Sequence, residues 1–357
     1  MNQPLLEATC AGIGPLDERA RAATLSLLDA KTKPRGSLGR LEELAGRLAA
    51  IFGQTPPARL EKAIVVMAAD HGITAEGVSA YPAEVTVQMV RNFMAGGAAI
   101  NVLARLASAR VVIADMGTFR DGEHPEVRRL RIGAGTASFV NEPAMSRAQA
   151  KQSLEAGIGL AHELIDKDGV KLLGIGDMGI GNTTAASALS AVFCHVPVEP
   201  VTGRGTGIDP AAFLHKLKVI GKALALHRPD PDDALDVLAK VGGFEIGGLA
   251  GVLLGAASRR VPVLLDGFIT GSAALVAHGL CPAVRDYLLA SHASVEPGHR
   301  IVLEHLGLRA LLDLELRLGE GTGAALAMHL VEAALRILHE MATFESARVL
   351  GSLESRL

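Results

Sequence analysis

The chain of 357 residues has no tryptophan, two tyrosines and nine phenylalanines, so neither its core nor any nucleic-acid platform can rest on aromatic stacking. Its 49% hydrophobic content is therefore aliphatic, and with only 20% charged residues it supplies ample material for a large core. Cysteine is scarce: Cys10, Cys194 and Cys281 are widely spaced and odd in number. That excludes a disulfide framework and a CxxC metal site, and it suggests free thiols in a reducing compartment. Neither sign of charge dominates, since 35 Lys and Arg against 38 Asp and Glu leave a net −3. With no Lys/Arg stripe, no nucleic-acid face is expected. The first residues lack the basic and apolar regions of a secretory signal. The most apolar long window, 261–280, is broken by Pro262, Asp266 and His278 and reads as strand, turn and helix rather than as a membrane span. A soluble, cytoplasmic protein is the expectation.

Glycine, by contrast, is abundant at 40 residues, and its densest cluster organises the rest. In 172–189, LLGIGDMGIGNTTAASAL, an apolar run from Val170 to Ile175 reads as a buried parallel strand. Gly174, Gly176, Gly179 and Gly181 then lead through Asn182, Thr183 and Thr184 into an alanine-rich helix. Strand, glycine turn and helix start together make an anion site. The first N–H groups of a helix have no intrahelical partner and carry the positive end of its dipole. The hydroxyls of Thr183 and Thr184 add donors, so phosphate is the favoured ligand. Two other readings stay open. Gly174-x-Gly176-x-x-Gly179 also fits the dinucleotide fingerprint, although its ribose-binding acid could only be Glu199, in a poor strand. The other is a tight turn with no ligand, for which four glycines and Asn-Thr-Thr are more than is needed.

Further buried strands are predicted at 63–69, 110–114 and 261–265, ending in Asp70-His71-Gly72, Asp115-Met116-Gly117 and Asp266-Gly267. Polar residues at such ends sit where parallel sheets place ligands. A last strand is predicted at 310–318. Helices are predicted within 16–52, after Pro82 as an N1 proline, at 146–165 with Ser146 as N-cap, and from Asp209-Pro210. Others follow at 229–241, 244–258, 268–280 and 324–344, and the glycines of 244–258 suggest close helix packing. Lys31, Lys33, Arg35 and Arg40 crowd a break between the first helices; a solvated loop is preferred there to a basic lip over a ligand. Alternating strands and helices imply an α/β fold with a mostly parallel, doubly wound, Rossmann-like sheet. Two domains are expected: a large α/β domain over 60–330, and a small discontinuous helical domain from 1–59 plus 331–357.

One further turn stands out. Glu320 lies within Gly319-Glu-Gly-Thr-Gly323, at a strand end and before a helix. An exposed Glu would be favoured there by the helix dipole alone. On the same sheet edge as the phosphate turn, it is equally a candidate catalytic carboxylate.

Taken together, KTKPRGSLGRLEELA (31–45), AADHGITAEGVSAYPAEVTVQMV (68–90), GIGDMGIGNTTAASAL (174–189), GRGTGID (203–209), GGFEIGGLAG (242–251), LLDGFITGSAAL (264–275) and LRLGEGTGAALA (316–327) resemble the nicotinate-nucleotide–dimethylbenzimidazole phosphoribosyltransferases. The likeness runs from about residue 20 to 345. It implies an enzyme that makes the lower-ligand nucleotide of cobalamin from nicotinate mononucleotide and 5,6-dimethylbenzimidazole. It also implies a phosphate and ribose site at Gly176, Asp177, Gly179, Ile180, Gly181, Asn182, Thr183 and Thr184, with Gly205 and Lys216. Asp177 stands where that family often has glutamate. The segment around Tyr81 to Gln88, with Met178 and Leu318, would form the base pocket, and Glu320 would be the catalytic base. No cofactor and no metal are implied, and a homodimer is expected. His71, His215 and His299 would be supporting residues.

The implied chemistry suits these residues. A pyridinium leaving group departs without a general acid, whereas an incoming benzimidazole must lose its N–H proton, so a single base suffices. Displacement inverts C1′, and the phosphate turn contributes by positioning. The alternatives are a family member acting on another azole or phenolic base, a non-catalytic nucleotide-binding homologue, which would not need a carboxylate at 320, and a dinucleotide-dependent oxidoreductase.

Overall fold

A computed structural model describes residues 4–119 and 124–350. Its centre is the segment Lys62–Ala69, KAIVVMAA, buried along its whole length. A strand reads this way only when helices cover both faces of its sheet. Period-two alternation divides its side chains between those faces. Ala63, Val65, Met67 and Ala69 join one apolar cluster, while Ile64, Val66 and Ala68 join another.

In chain order, α1 (Leu5–Ala11), α2 (Glu18–Asp29) and α3 (Arg40–Phe52) precede β1 (Lys62–Ala69). Next come α4 (Glu84–Met94), α5 (Ala99–Leu106), β2 (Arg110–Gly117) and the two-residue β3 (Arg128–Arg129). The central run is α6 (Arg147–Asp166), β4 (Leu172–Met178), α7 (Asn182–Phe193), α8 (Pro210–His227), α9 (Ala234–Val241) and α10 (Phe244–Ser258). The chain closes with β5 (Val263–Leu265), α11 (Phe268–Leu280), β6 (Leu288–Ala290), α12 (Pro297–His305) and α13 (Thr322–Glu340). All five strand pairings are parallel, in the order β3-β2-β1-β4-β5-β6. This is the doubly wound order, which reverses direction between β1 and β4. No helix among the described residues is long and apolar enough to cross a membrane.

Glycine governs the packing of one layer. Helix α10, FEIGGLAGVLLGAAS, is buried on nearly every side because it lies between the sheet and α6. A Cβ on Gly157 would collide with the Gly248 carbonyl, and one on Gly251 with the Leu154 carbonyl. The two backbones touch where only hydrogen can fit.

Several expectations need correction. Residues 310–318 form no named strand. The segment runs extended beside the chain after β6, with Leu311 and Leu312 N–H groups donating to Ala290 and Ser291. Its outer face (Asp313, Leu314, Glu315) is exposed, so it pairs on one side only. The three-residue β6 was not anticipated, because so short a run shows no periodicity. Pro82 precedes α4 rather than opening it: its carbonyl accepts from Val85 N–H. Helix α9 begins only at Ala234, where the Asp233 side chain accepts from Asp236 N–H as its cap.

The helices of the two chain ends do meet. Thr32 N–H donates to Ala342 O, and Phe344 N–H to Ala30 O. Yet the boundaries expected near 60 and 330 are not breaks in packing. Leu28, Leu44 and Leu48 share one buried cluster with Ile64, Leu172 and Leu264 of the sheet and with Met328 and Leu335 of α13. Of the crowded cations of 31–40, Arg35 is exposed, as in a solvated loop, but the other three are tied into the fold. Lys33 is buried against Glu42 at 2.8 Å, Lys31 donates to Met341 O, and Arg40 donates to the carbonyls of 309 and 310.

Candidate active site

Open α/β sheets bind ligands beyond the carboxyl ends of their strands, next to the switch point. A cavity of about 740 Å³ lies there. Asp177, Met178 and Gly179 at the end of β4, Gly267 to Ile269 after β5, and His292, Ser294 and Glu296 after β6 line it, with residues 315–320. Tyr81 and the α4 side chains Val85 and Met89 complete the wall.

The glycine turn after β4 brings the start of α7 into this cavity, with Ile180, Asn182 and Thr183 in its lining. Gly181 precedes the helix at φ +94°, a left-handed conformation open to glycine. Behind Thr183, the buried Lys216 donates to its Oγ1 at 2.8 Å. Burial pushes the Lys216 ammonium down to about 8, against the pull of the Glu296 carboxylate. Gly205 lies over the same hydroxyl, where a Cβ would come within 2.8 Å of it. Arg317, another lining residue, donates to the Gly205 carbonyl at 3.1 Å. The Ile180 N–H donates to Thr86 Oγ1, and the Asn182 and Thr184 N–H groups bond within the turn. It is therefore the Thr183 hydroxyl and the buried cation, at the positive end of α7, that converge from one side in an arrangement suited to a phosphate.

Four carboxylates line the cavity, Asp177, Glu296, Glu315 and Glu320, and two of them, Asp177 and Glu320, are set deepest by the turns around them. Glu320 is buried, with a left-handed backbone (φ +64°), and its Oε2 accepts from Ile100 N–H at 3.3 Å. Burial raises its pKa above the usual carboxylate range, the Asp266 charge adds to this, and the Ile100 bond opposes it. Asp266 holds the turn from below. Its carboxylate accepts from Gly321 N–H at 2.9 Å and from Gly323 N–H at 2.7 Å. The first donors of α13 are therefore already engaged, and this helix start serves as a mount for Glu320 rather than as a second anion site. Asp177 is pushed up to about 8, by burial first and by Asp266 next, against a bond from Asn182.

Of the residues singled out in the sequence, Tyr81, Asp177, Met178, Gly179, Ile180, Asn182, Thr183, Gly205, Leu318 and Glu320 line this cavity. Five others do not. Gly176 faces the second turn, where a Cβ would strike the Glu320–Gly321 backbone; its role is to let β4 and that turn meet. Gly181 backs onto Ile73 and Thr74, the Thr184 hydroxyl is buried without a partner, and Lys216 acts through Thr183. Gln88 is exposed, and Val85 and Met89 hold the wall instead.

The strand-end acids divide as well. Asp70 and Asp115 turn to backbone: Asp70 accepts from Phe119 N–H, and Asp115 from Gly117 and Thr118 N–H. Of these acids only Asp177 and Asp266 serve the site. His71 is fully buried, with Nε2 2.6 Å from Glu245 Oε1. This pair lies beneath the phosphate turn, where a Cβ on Gly179 would meet Glu245 and His71. His215 and His299 bond to backbone, at Glu76 O and Ser294 N–H. Val85 lies inside the segment expected to form the base pocket, whereas Met89, His292 and Arg317 had no such signal in the sequence. His292 follows the unanticipated β6, so finding that strand would have pointed to it. Among the described residues no group of three or more His, Cys, Asp or Glu could share a metal ion.

Comparison with known proteins agrees with this geometry. The phosphoribosyltransferase family matches residues 13–349. The chain belongs to that family. A nicotinate-nucleotide–dimethylbenzimidazole phosphoribosyltransferase of Roseiflexus sp. (strain RS-1) is 59% identical over 352 residues, covering 98% of this chain and 99% of that protein. One from Geobacter metallireducens is 54% identical over 346 residues, covering 97% and 98%. The crystal structure of CobT from Thermus thermophilus is similar with a TM-score of 0.89 at 48% identity, covering 94% of this chain and all of that one. A phosphoribosyltransferase must hold a 5′-phosphate and expose C1′ to an acceptor. The α7 start suits the first task, and the remaining cavity has room for the second.

Proposed function

We propose that this phosphoribosyltransferase transfers the 5-phosphoribosyl group of nicotinate mononucleotide to 5,6-dimethylbenzimidazole, the step that makes the lower-ligand nucleotide of cobalamin. The observation that carries this reading is that one cavity contains both the α7 N-terminus backed by Lys216 and the buried carboxylate of Glu320. In the proposal the nucleotide's phosphate sits at Ile180 to Thr183. The acceptor lies against Tyr81, Val85, Met89, Met178 and Leu318, an almost wholly apolar set suited to a flat, methylated ring.

Glu320 takes the acceptor's N–H proton as the ring nitrogen's electron pair attacks C1′. The C1′–N bond to nicotinate breaks, and its electrons neutralise the pyridinium, so nicotinate leaves unprotonated at nitrogen. Attack opposite the leaving group converts a β-nucleotide into an α-nucleotide. A raised pKa makes Glu320 a stronger base than an exposed carboxylate would be. Asp177, with its pKa near 8, holds its proton at neutral pH and is the poorer base there.

The test is incubation with nicotinate mononucleotide and a panel of azole and phenolic acceptors, with products identified by mass spectrometry. Release of nicotinate together with α-ribazole 5′-phosphate is expected. Transfer only to acceptors other than benzimidazoles would replace the acceptor assignment, and no transfer at all would overturn the proposal.

A further inference from the structure

Cys10 and Cys281 are 271 positions apart in the chain, yet the fold brings them together. The Cys281 thiol lies 3.8 Å from the Cys10 carbonyl, to which it donates while it keeps its proton, and the Cys10 thiol is the neighbour that most shifts its titration. Both are free and half-buried. Cys10 is in the last turn of α1, and Cys281 closes α11 just before a 3₁₀ turn over Pro282–Tyr287. The Tyr287 hydroxyl ties the same two segments a second time, donating to Gly14 O at 2.8 Å.

The two sulfurs are not equivalent. The Cys10 thiol and the backbone N–H groups of Ala283 and Val284 donate toward Cys281 and hold it down to about 6, against burial. Cys10, as the donor of that bond, is raised. Cys194, alone and buried, is pushed up to about 11. A half-buried thiolate beside a protonated thiol is the arrangement of an attacking and a resolving cysteine.

We propose that Cys10 and Cys281 form a redox-active dithiol, which low-molecular-weight disulfides oxidise to a cross-link between α1 and the far end of α11. The Cys281 thiolate attacks one sulfur of the small disulfide, forming a mixed disulfide and expelling one thiolate. Cys10 then gives up its proton and attacks the Cys281 sulfur, expelling the second. The protein loses two electrons and two hydrogens, and the small disulfide is reduced to two thiols. Helix α11 begins at the cavity with Phe268 and Ile269 and ends at Cys281. The cross-link therefore forms a whole helix away from the chemistry, and it should change stability more than turnover.

The experiment treats the intact, full-length protein with oxidised glutathione. The expected product has lost two hydrogens by intact mass, carries no adduct, and retains one free thiol of three, with the Cys10 and Cys281 peptides joined in a digest. Its Tm should rise by several degrees, and Cys194→Ser should form the same cross-link with no free thiol left. In the wild type the reaction rate should fall about tenfold per pH unit only below about pH 6, and Cys10→Ser should stop at a stable glutathione adduct on Cys281. Three unreacted thiols in the wild type, an adduct that is never resolved, or a bond between two chains would each overturn the proposal.

Discussion

Glu320 is held by three constraints: burial, a left-handed backbone, and a turn pinned by Asp266. Glu320→Gln keeps the shape and can still accept from Ile100 N–H, but it cannot take a proton. General-base catalysis is typically worth 10²–10⁴-fold, so kcat should fall by about that factor, toward the low end because a pyridinium leaves readily. Steady-state kinetics should show KM for both substrates little changed; full activity would move the role to Asp177. Asp177 makes a prediction of its own. Folded, it keeps its proton up to about 8, whereas its unperturbed value is 3.8. Between those values the folded state binds the extra proton, so a rise in pH favours unfolding. The stabilisation is complete below about 4 and is lost by about 8. In ligand-free protein Tm should fall from pH 5 to 8, and Asp177→Asn should flatten that slope; an unchanged slope would mean that Asp177 ionises normally.

At the scale of elements, the register of α4 decides which of its side chains line the cavity, the proposed acceptor wall. Val85 and Met89 are one helical turn apart and face the cavity, whereas Gln88 is exposed between them. Truncating a pocket side chain changes discrimination by roughly 10-fold or more. Met89→Ala or Met178→Ala should therefore reorder acceptor bases in kcat/KM by about that much, while nucleotide KM moves little. Gln88→Ala should leave the order intact, and the reverse pattern would place the acceptor elsewhere. The strand, turn and helix start of β4 and α7 were legible beforehand because their signals are contiguous: apolar run, glycines, Asn-Thr-Thr and alanine-rich helix. The face of α4 was not, because α4 is amphipathic and its period leaves open which border of the apolar stripe meets the ligand.

At the scale of the whole molecule, the terminal helices belong to the packing of the sheet's second face. Leu48 of α3 is fully buried in the cluster that holds Ile64 of β1 and Met328 of α13. Leu48→Ala should cost about 2–5 kcal/mol and lower the Tm of one cooperative transition, measured by calorimetry. A separate low-temperature transition, with the rest of the melt unmoved, would instead show an independent helical unit built from the two ends.

Much of this architecture can be read along the chain. The spans of α10 and α11, the buried β1, the turn from Gly176 to Thr184 and the glycine-flanked Glu320 all follow from near neighbours. Apolar periodicity, glycine and caps act over one or two helical turns. Contacts between distant segments are a different matter. Asp70, Asp115 and Asp266 look alike as acids at strand ends, yet two turn back onto loop backbone while the third holds the turn that carries Glu320. Gly176 reads as part of a phosphate loop but is needed for the close approach of residues 320 and 321. Lys216 reaches Thr183 from another helix, and Cys10 finds Cys281 from the opposite end of the chain. Local propensity sets where each element starts and stops, whereas which side chains meet depends on the order in which the strands assemble, and only the folded chain settles that.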